Sequence, residues 1–311
     1  MSSSARHGLT ATPDFVIAGA PKCGTTSLHH WLDQHPGVHM LPGEPHFFAH
    51  DLAYNQPAMP ARRYATLCRA ARPGQCCGDR STWYLYSRVA SSAIRAANPA
   101  ARILILVRQP AEMLYSLHAH LCRRGQRETM TDLRQAMALE GERKRGRRLP
   151  ARGGFPEKFQ YSMLADYAAG VQRFVDDFGP EQVRIVLFDD LRDRPLATFS
   201  DILAFLGLDP GFQPQLDVYN RSAPVPDSLF RRLWRRGTWR YTIRRLRPAW
   251  YQKLHLQRKQ RVRADRDRDQ PWPALDHELR RELTERFEQQ ILTLEDLIGR
   301  DLAHWRQDAG Q

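Results

Sequence analysis

The chain has 311 residues, 42% hydrophobic and 26% charged, which is enough for one substantial core and too evenly spread to suggest a second domain. No apolar run reaches the roughly 18 to 20 residues that a membrane-spanning helix needs, and residues 1–13 lack the apolar centre of a signal peptide, so a cytoplasmic protein is expected. The net charge of +13 suggests a nucleic-acid binder, but residues 231–268 hold fifteen Arg or Lys against Asp265 and Asp267, so one arm carries the whole excess and the remainder is balanced.

The expected domain plan is a flexible stretch over 1–13 and a single domain over 14–311 that includes a basic, aromatic-rich arm at about 229–268. Residues 14–20 (DFVIAGA) form a short apolar run ending in glycine, as a buried parallel strand does. Residues 21–24 supply a turn, and 25–34 read as a helix with Leu28, Trp31 and Leu32 at helical spacing, stopped by His35-Pro36-Gly37. The logic repeats at 102–107 (RILILV), followed by Arg108-Gln109-Pro110 and a helix from Ala111 through Ser116 towards His120. Residues 182–188 predict a third strand, and 195–206 an amphipathic helix with Gly207 as its stop. A last amphipathic helix is predicted over 280–298, apolar at Leu283, Phe287, Ile291, Leu294 and Ile298. Strands alternating with helices imply an α/β fold of P-loop-like, three-layer type, with a central parallel sheet flanked by helices.

The chemistry concentrates in the first loop, Gly19-Ala-Pro-Lys22-Cys-Gly24-Thr25-Thr26-Ser27. Its GxxxxG spacing is that of an anion-binding loop beside a helix N-terminus. In GxxxxGK[ST] the lysine follows the second glycine. Here Thr25 takes that slot and Lys22 lies upstream, and RILILV runs into Arg108 instead of a magnesium-binding aspartate. A donor that needs no metal is the expectation.

PKCGTTSL resembles the phosphosulfate-binding loop of sulfotransferases that use 3′-phosphoadenosine 5′-phosphosulfate (PAPS). The blocks EPHFF, GDRSTWYLYS, RILILVRQPAEMLYSLHAH and LEDLIGRDLAHW extend the resemblance to the heparan-sulfate-type and related bacterial members, over most of the chain except the arm. The resemblance implies sulfuryl transfer from PAPS to an acceptor hydroxyl or amine of a carbohydrate, lipid or small molecule. It implies that Lys22, Cys23, Gly24, Thr25, Thr26 and Ser27 grip the 5′-phosphosulfate, and that Arg108 and Ser116 bind the 3′-phosphate. Lys22 would neutralise the leaving oxygen. Glu44 matches the carboxylate base of the heparan-type enzymes, and His46, two residues on, is the alternative base. Many relatives have lysine immediately before that glutamate; Gly43 stands here, and Arg80 is the candidate replacement.

Plainer readings stand beside these. Glu44 would serve equally in a surface salt bridge, His46 as packing beside Phe47 and Phe48, and Ser81 and Tyr84 either as cleft lining or as a turn with core aromatics. The six histidines between 29 and 50 lack metal-ligand spacing, and five irregularly spaced cysteines suggest reduced thiols. The arm interleaves cations with Phe230, Trp234, Trp239, Tyr241, Trp250 and Tyr251, a mixture suited to an anionic membrane, a polyanionic glycan or RNA, or to covering the core as a solvated helical pair. The rival functions are a P-loop nucleotide kinase and a non-catalytic binder of nucleic acid or another polyanion.

Overall fold

Five strands, β1 (Phe15–Gly19), β2 (Val38–Met40), β3 (Cys76–Arg80), β4 (Arg102–Val107) and β5 (Val183–Leu187), pair in parallel in the order β2-β3-β1-β4-β5. The computed structural model describes residues 11–53, 58–123, 128–150, 155–216 and 272–307. The basic arm and the first ten residues lie outside them. Every residue of β1 is buried, as are all but the first of β4, so the two apolar runs form the centre of a sheet covered on both faces. Four helices return the chain between strands or follow them: α1 (Thr25–Leu32), α2 (Ala61–Cys68), α3 (Ala90–Ala97) and α4 (Pro110–Arg123). Later helices at Ala168–Phe178, Pro195–Leu206, His277–Arg286 and Glu288–Ile298 complete the covering layers. The parallel sheet with flanking helices is the α/β architecture expected from the strand and helix alternation.

The central units match expectation closely, and the edge of the sheet is where the structure adds most. β2 and β3 had no strand signal: VHM is three residues long, and CCGDR carries a glycine and two charges. Tertiary packing makes β3 a strand. A Cβ on Gly78 would lie 2.2 Å from the Phe15 ring and 2.6 Å from the Met40 sulfur, so only glycine lets β1 and β2 close on it. The expected helix over 280–298 starts earlier and is divided at Phe287, which leaves helical geometry (φ −109°, ψ 14°) while burying its ring. Backbone bonds from Phe287 N to Leu283 O and from Ile291 N to Phe287 O carry the two halves past the break. Among the described residues no helix is long and apolar enough to cross a membrane.

Candidate functional site

The carboxyl ends of β1, β2, β3 and β4 open on one side of the sheet, where open α/β sheets bind ligands. The loop leaving β1 turns through Lys22 (φ 66°) and Gly24 (φ 86°) into α1. Left-handed backbone at a non-glycine residue is costly and concentrates at functional sites. Gly24 caps α1 with no side-chain bond, and the first turn of the helix holds no acidic residue, so its amide field is left for an external anion. Cys23 points the other way. Its thiol is buried, donates to Pro21 O at 3.4 Å, and is pushed up to about 12 by burial, so its contribution to an anion site is its backbone N–H. Thr25 is also buried, whereas Lys22, Thr26 and Ser27 keep partial exposure.

Arg80, at the end of β3, joins this loop to the turn after β2. Its Nη1 donates to Thr26 Oγ1 at 3.0 Å and to Glu44 Oε1 at 2.9 Å, and its Nη2 reaches Gly43 O at 3.4 Å. Thr82 Oγ1 donates to Glu44 Oε2 at 2.7 Å, and His46 Nε2 lies 3.2 Å from the same oxygen. Burial alone would raise the Glu44 carboxyl, but the His46 hydrogen bond, the Arg80 charge and the Thr82 hydroxyl outweigh it and hold the group at about 2. Exposure separates the two expected bases: the Glu44 side chain is 27% exposed and that of His46 only 1%. Arg80 thus supplies a cation beside Glu44 from the end of a neighbouring strand.

A second layer fixes that turn. His46, itself left-handed (φ 49°), donates its backbone N–H to Ser81 Oγ at 2.9 Å, and Phe48 N donates to Tyr84 OH at 3.3 Å. Ser81, Tyr84 and Tyr64 all donate to the carboxylate of Asp79, at 2.7, 2.8 and 2.8 Å, deep in the core. Burial pushes the Asp79 carboxyl up, and these three hydroxyls answer it. Ser81 and Tyr84 are therefore supports of the Glu44 turn and do not line the cleft. Asp79 escaped the sequence reading because a lone aspartate in CCGDR has no local signature.

Arg108 leaves β4 beside the loop. Its guanidinium lies 4.5 Å from the centroid of Phe188, the same ring that a Cβ on Gly24 would meet at 3.2 Å. Tyr167 OH holds Arg108 O at 3.0 Å. Nε and Nη2 of Arg108 donate to Glu112 Oε2 at 3.0 and 2.8 Å, and Arg280 Nη2, from the helix His277–Arg286, donates to Glu112 Oε1. Ser116 follows one turn further along α4 and is partly exposed. Arg108, just before α4, and Ser116, on it, thus lie four residues to either side of Glu112. Glu112, Arg280 and Phe188 were missed, because their partners lie up to 168 residues away in the chain.

Among the described residues no group of three or more His, Cys, Asp or Glu is arranged to hold a metal ion. Residues 12–221 match the family model described as Sulfotransferase domain. The chain is 26% identical over 199 residues to mouse heparan sulfate glucosamine 3-O-sulfotransferase 5, covering 64% of this chain and 54% of that protein. It is 32% identical over 107 residues to the human 3-O-sulfotransferase 6, covering 34% and 30%. It therefore spans about half or less of the length of the curated relatives it matches. Among solved structures, a sulfotransferase from Alicyclobacillus acidocaldarius superposes with a TM-score of 0.70 at 28% identity, covering 96% of this chain and all of that one.

Proposed function

Since the chain belongs to the sulfotransferase family, we propose that it transfers the sulfuryl group of PAPS, without a metal, to a hydroxyl or amine of a carbohydrate or small-molecule acceptor. The observation that carries this reading is the chain Thr26–Arg80–Glu44, in which one guanidinium ties the anion loop to a partly exposed carboxylate. Donor grip and acceptor activation thereby share one rigid frame. The residues fit the donor: a helix N-terminus free of acidic side chains for the phosphosulfate, and an arginine at a strand end for the 3′-phosphate. In the transfer, the bond between the acceptor oxygen or nitrogen and sulfur forms, the bond from sulfur to the bridging phosphate oxygen breaks, and the acceptor proton passes to Glu44. Lys22 stands on the leaving side, where negative charge grows. His46, buried behind Glu44, positions that carboxylate and does not meet the acceptor itself.

Calorimetry with 3′-phosphoadenosine 5′-phosphate (PAP) in the absence of magnesium tests the donor site. Wild type is expected to bind, and Arg108→Ala to bind about tenfold to a hundredfold more weakly, the cost of one charge-assisted contact. Failure of the wild type to bind would remove the sulfotransferase reading.

On the acceptor side, a cavity of about 480 Å³ opens beside the Glu44 turn, walled by Pro42, Met59, Leu67, Arg62, Arg63 and Arg69. No carboxylate is among its described lining residues, which supports an acceptor with an anionic group, as do relatives named for heparan sulfate. The double variant Arg62→Gln/Arg63→Gln should raise KM about tenfold for a sulfated oligosaccharide and leave its desulfated counterpart within about twofold. Equal changes for both would remove the anionic preference. Residence in the cytoplasm belongs to the same reading.

A further inference from the structure

The 3′-phosphate subsite implied by the family contains Arg108 and Ser116, and the carboxylate that lies between them on α4 is bonded to a cation from the far end of the chain. Arg108 spends Nε and Nη2 on one oxygen of Glu112, while Arg280 takes the other oxygen. All three side chains are about one-fifth exposed: 20% for Arg108, 20% for Glu112 and 18% for Arg280. They are neither sealed in the core nor loose on the surface. Burial opposes the charge on Glu112, but Arg108 and then Arg280 outweigh it and hold the carboxyl below its usual range, so the trio stays ionised with a net charge of one positive.

We propose that Arg280 is a second cation of this subsite, held in place by Glu112, and that it selects a nucleotide bearing a 3′-phosphate over one that lacks it. The proposal rests on the donor reading above. Bonded to opposite oxygens of one carboxylate, the two arginines set two cations side by side at the end of β4. A phosphate, with oxygens to spare, suits such a pair better than a single guanidinium does. A carboxylate placed against a phosphate site costs repulsion unless both cations are present, so Glu112 makes sense there only together with Arg280. The helix that bears Arg280 is also docked independently of the charge. Gln109 Nε2 donates to Thr284 Oγ1 at 2.9 Å and to Trp305 O at 3.3 Å, and Tyr115 OH donates to Pro273 O at 2.9 Å. Loss of the Arg280 guanidinium therefore leaves the helix seated.

The test compares calorimetric affinities of PAP and adenosine 5′-phosphate for wild type, Arg280→Met, Arg280→Lys and Thr284→Val, with thermal melts to check folding. Arg280→Met should weaken PAP binding about tenfold and change adenosine 5′-phosphate binding less than about twofold, Arg280→Lys should recover part of the loss, and Thr284→Val should leave the ratio of the two ligands unchanged. If Arg280→Met weakens both ligands alike, or neither, Arg280 only docks its helix and the proposal falls. If Arg280→Met does not fold, Arg280→Lys carries the test, because a charge without the fork should still shift the ratio. Should wild type itself fail to prefer PAP, the donor reading fails first and takes this inference with it.

Discussion

A Lys22→Met enzyme should transfer sulfuryl groups about a thousandfold more slowly than wild type while binding PAP within about fivefold, the signature of an interaction made chiefly in the transition state. The charge that grows during transfer appears on the bridging oxygen. The loop that cradles it keeps Gly24 and the N-terminal amides of α1 in the variant, so ground-state grip has other sources. Methionine retains the stem of the side chain and removes only the charge. Lys22 occupies left-handed backbone (φ 66°), and methionine, unbranched at Cβ like lysine, carries a similar backbone cost there, so the comparison stays clean. Kinetics at saturating donor, set beside PAP calorimetry, decides the matter. Loss of binding in step with rate would move Lys22 from charge stabiliser to simple anchor.

Glu44→Gln should lower the rate by about a hundredfold to ten-thousandfold, the range that removal of a positioned general base covers. Glutamine keeps a carbonyl oxygen for Arg80 or Thr82 and so preserves most of the frame, which separates proton acceptance from architecture. The pH behaviour adds a second check. The folded value of Glu44, about 2, lies below the usual carboxylate value, so its ionised form adds stability above that usual value, and the contribution fades as pH falls through about 2. No activity limb in the wild type between pH 4 and 8 should trace to Glu44 (roughly two units clear of its titration). A Glu44→Gln enzyme with more than a tenth of wild-type rate would hand the proton to another group.

The central half of the site was legible because it is local. β1, the loop and α1 occupy consecutive residues, as do β4, Arg108 and α4, and each declares itself by an apolar run, a turn and helical spacing. The supporting half is not local. Asp79 matters because Tyr64, Ser81 and Tyr84 converge on it from α2 and from the segment after β3, and Arg80 matters because β3 lies between β1 and β2. No window of the sequence contains that arrangement. The partnership of Glu112 with Arg280 is more distant still, and only the closing of the chain on itself creates it. The break at Phe287 was likewise invisible, since apolar spacing on either side continues the same stripe.

The sheet order divides the work in a way that bears on how such a protein can change over time. The residues proposed to hold the donor follow β1 and β4 at the middle of the sheet, whereas Glu44 and the arginine-lined cavity hang from β2 and α2, a stretch of some thirty neighbouring residues at one rim. On the proposed function, substitutions in that rim would change the acceptor while the donor loop stays as it is, and Arg80, bonded to both Thr26 and Glu44, is where a change would be felt by the two together.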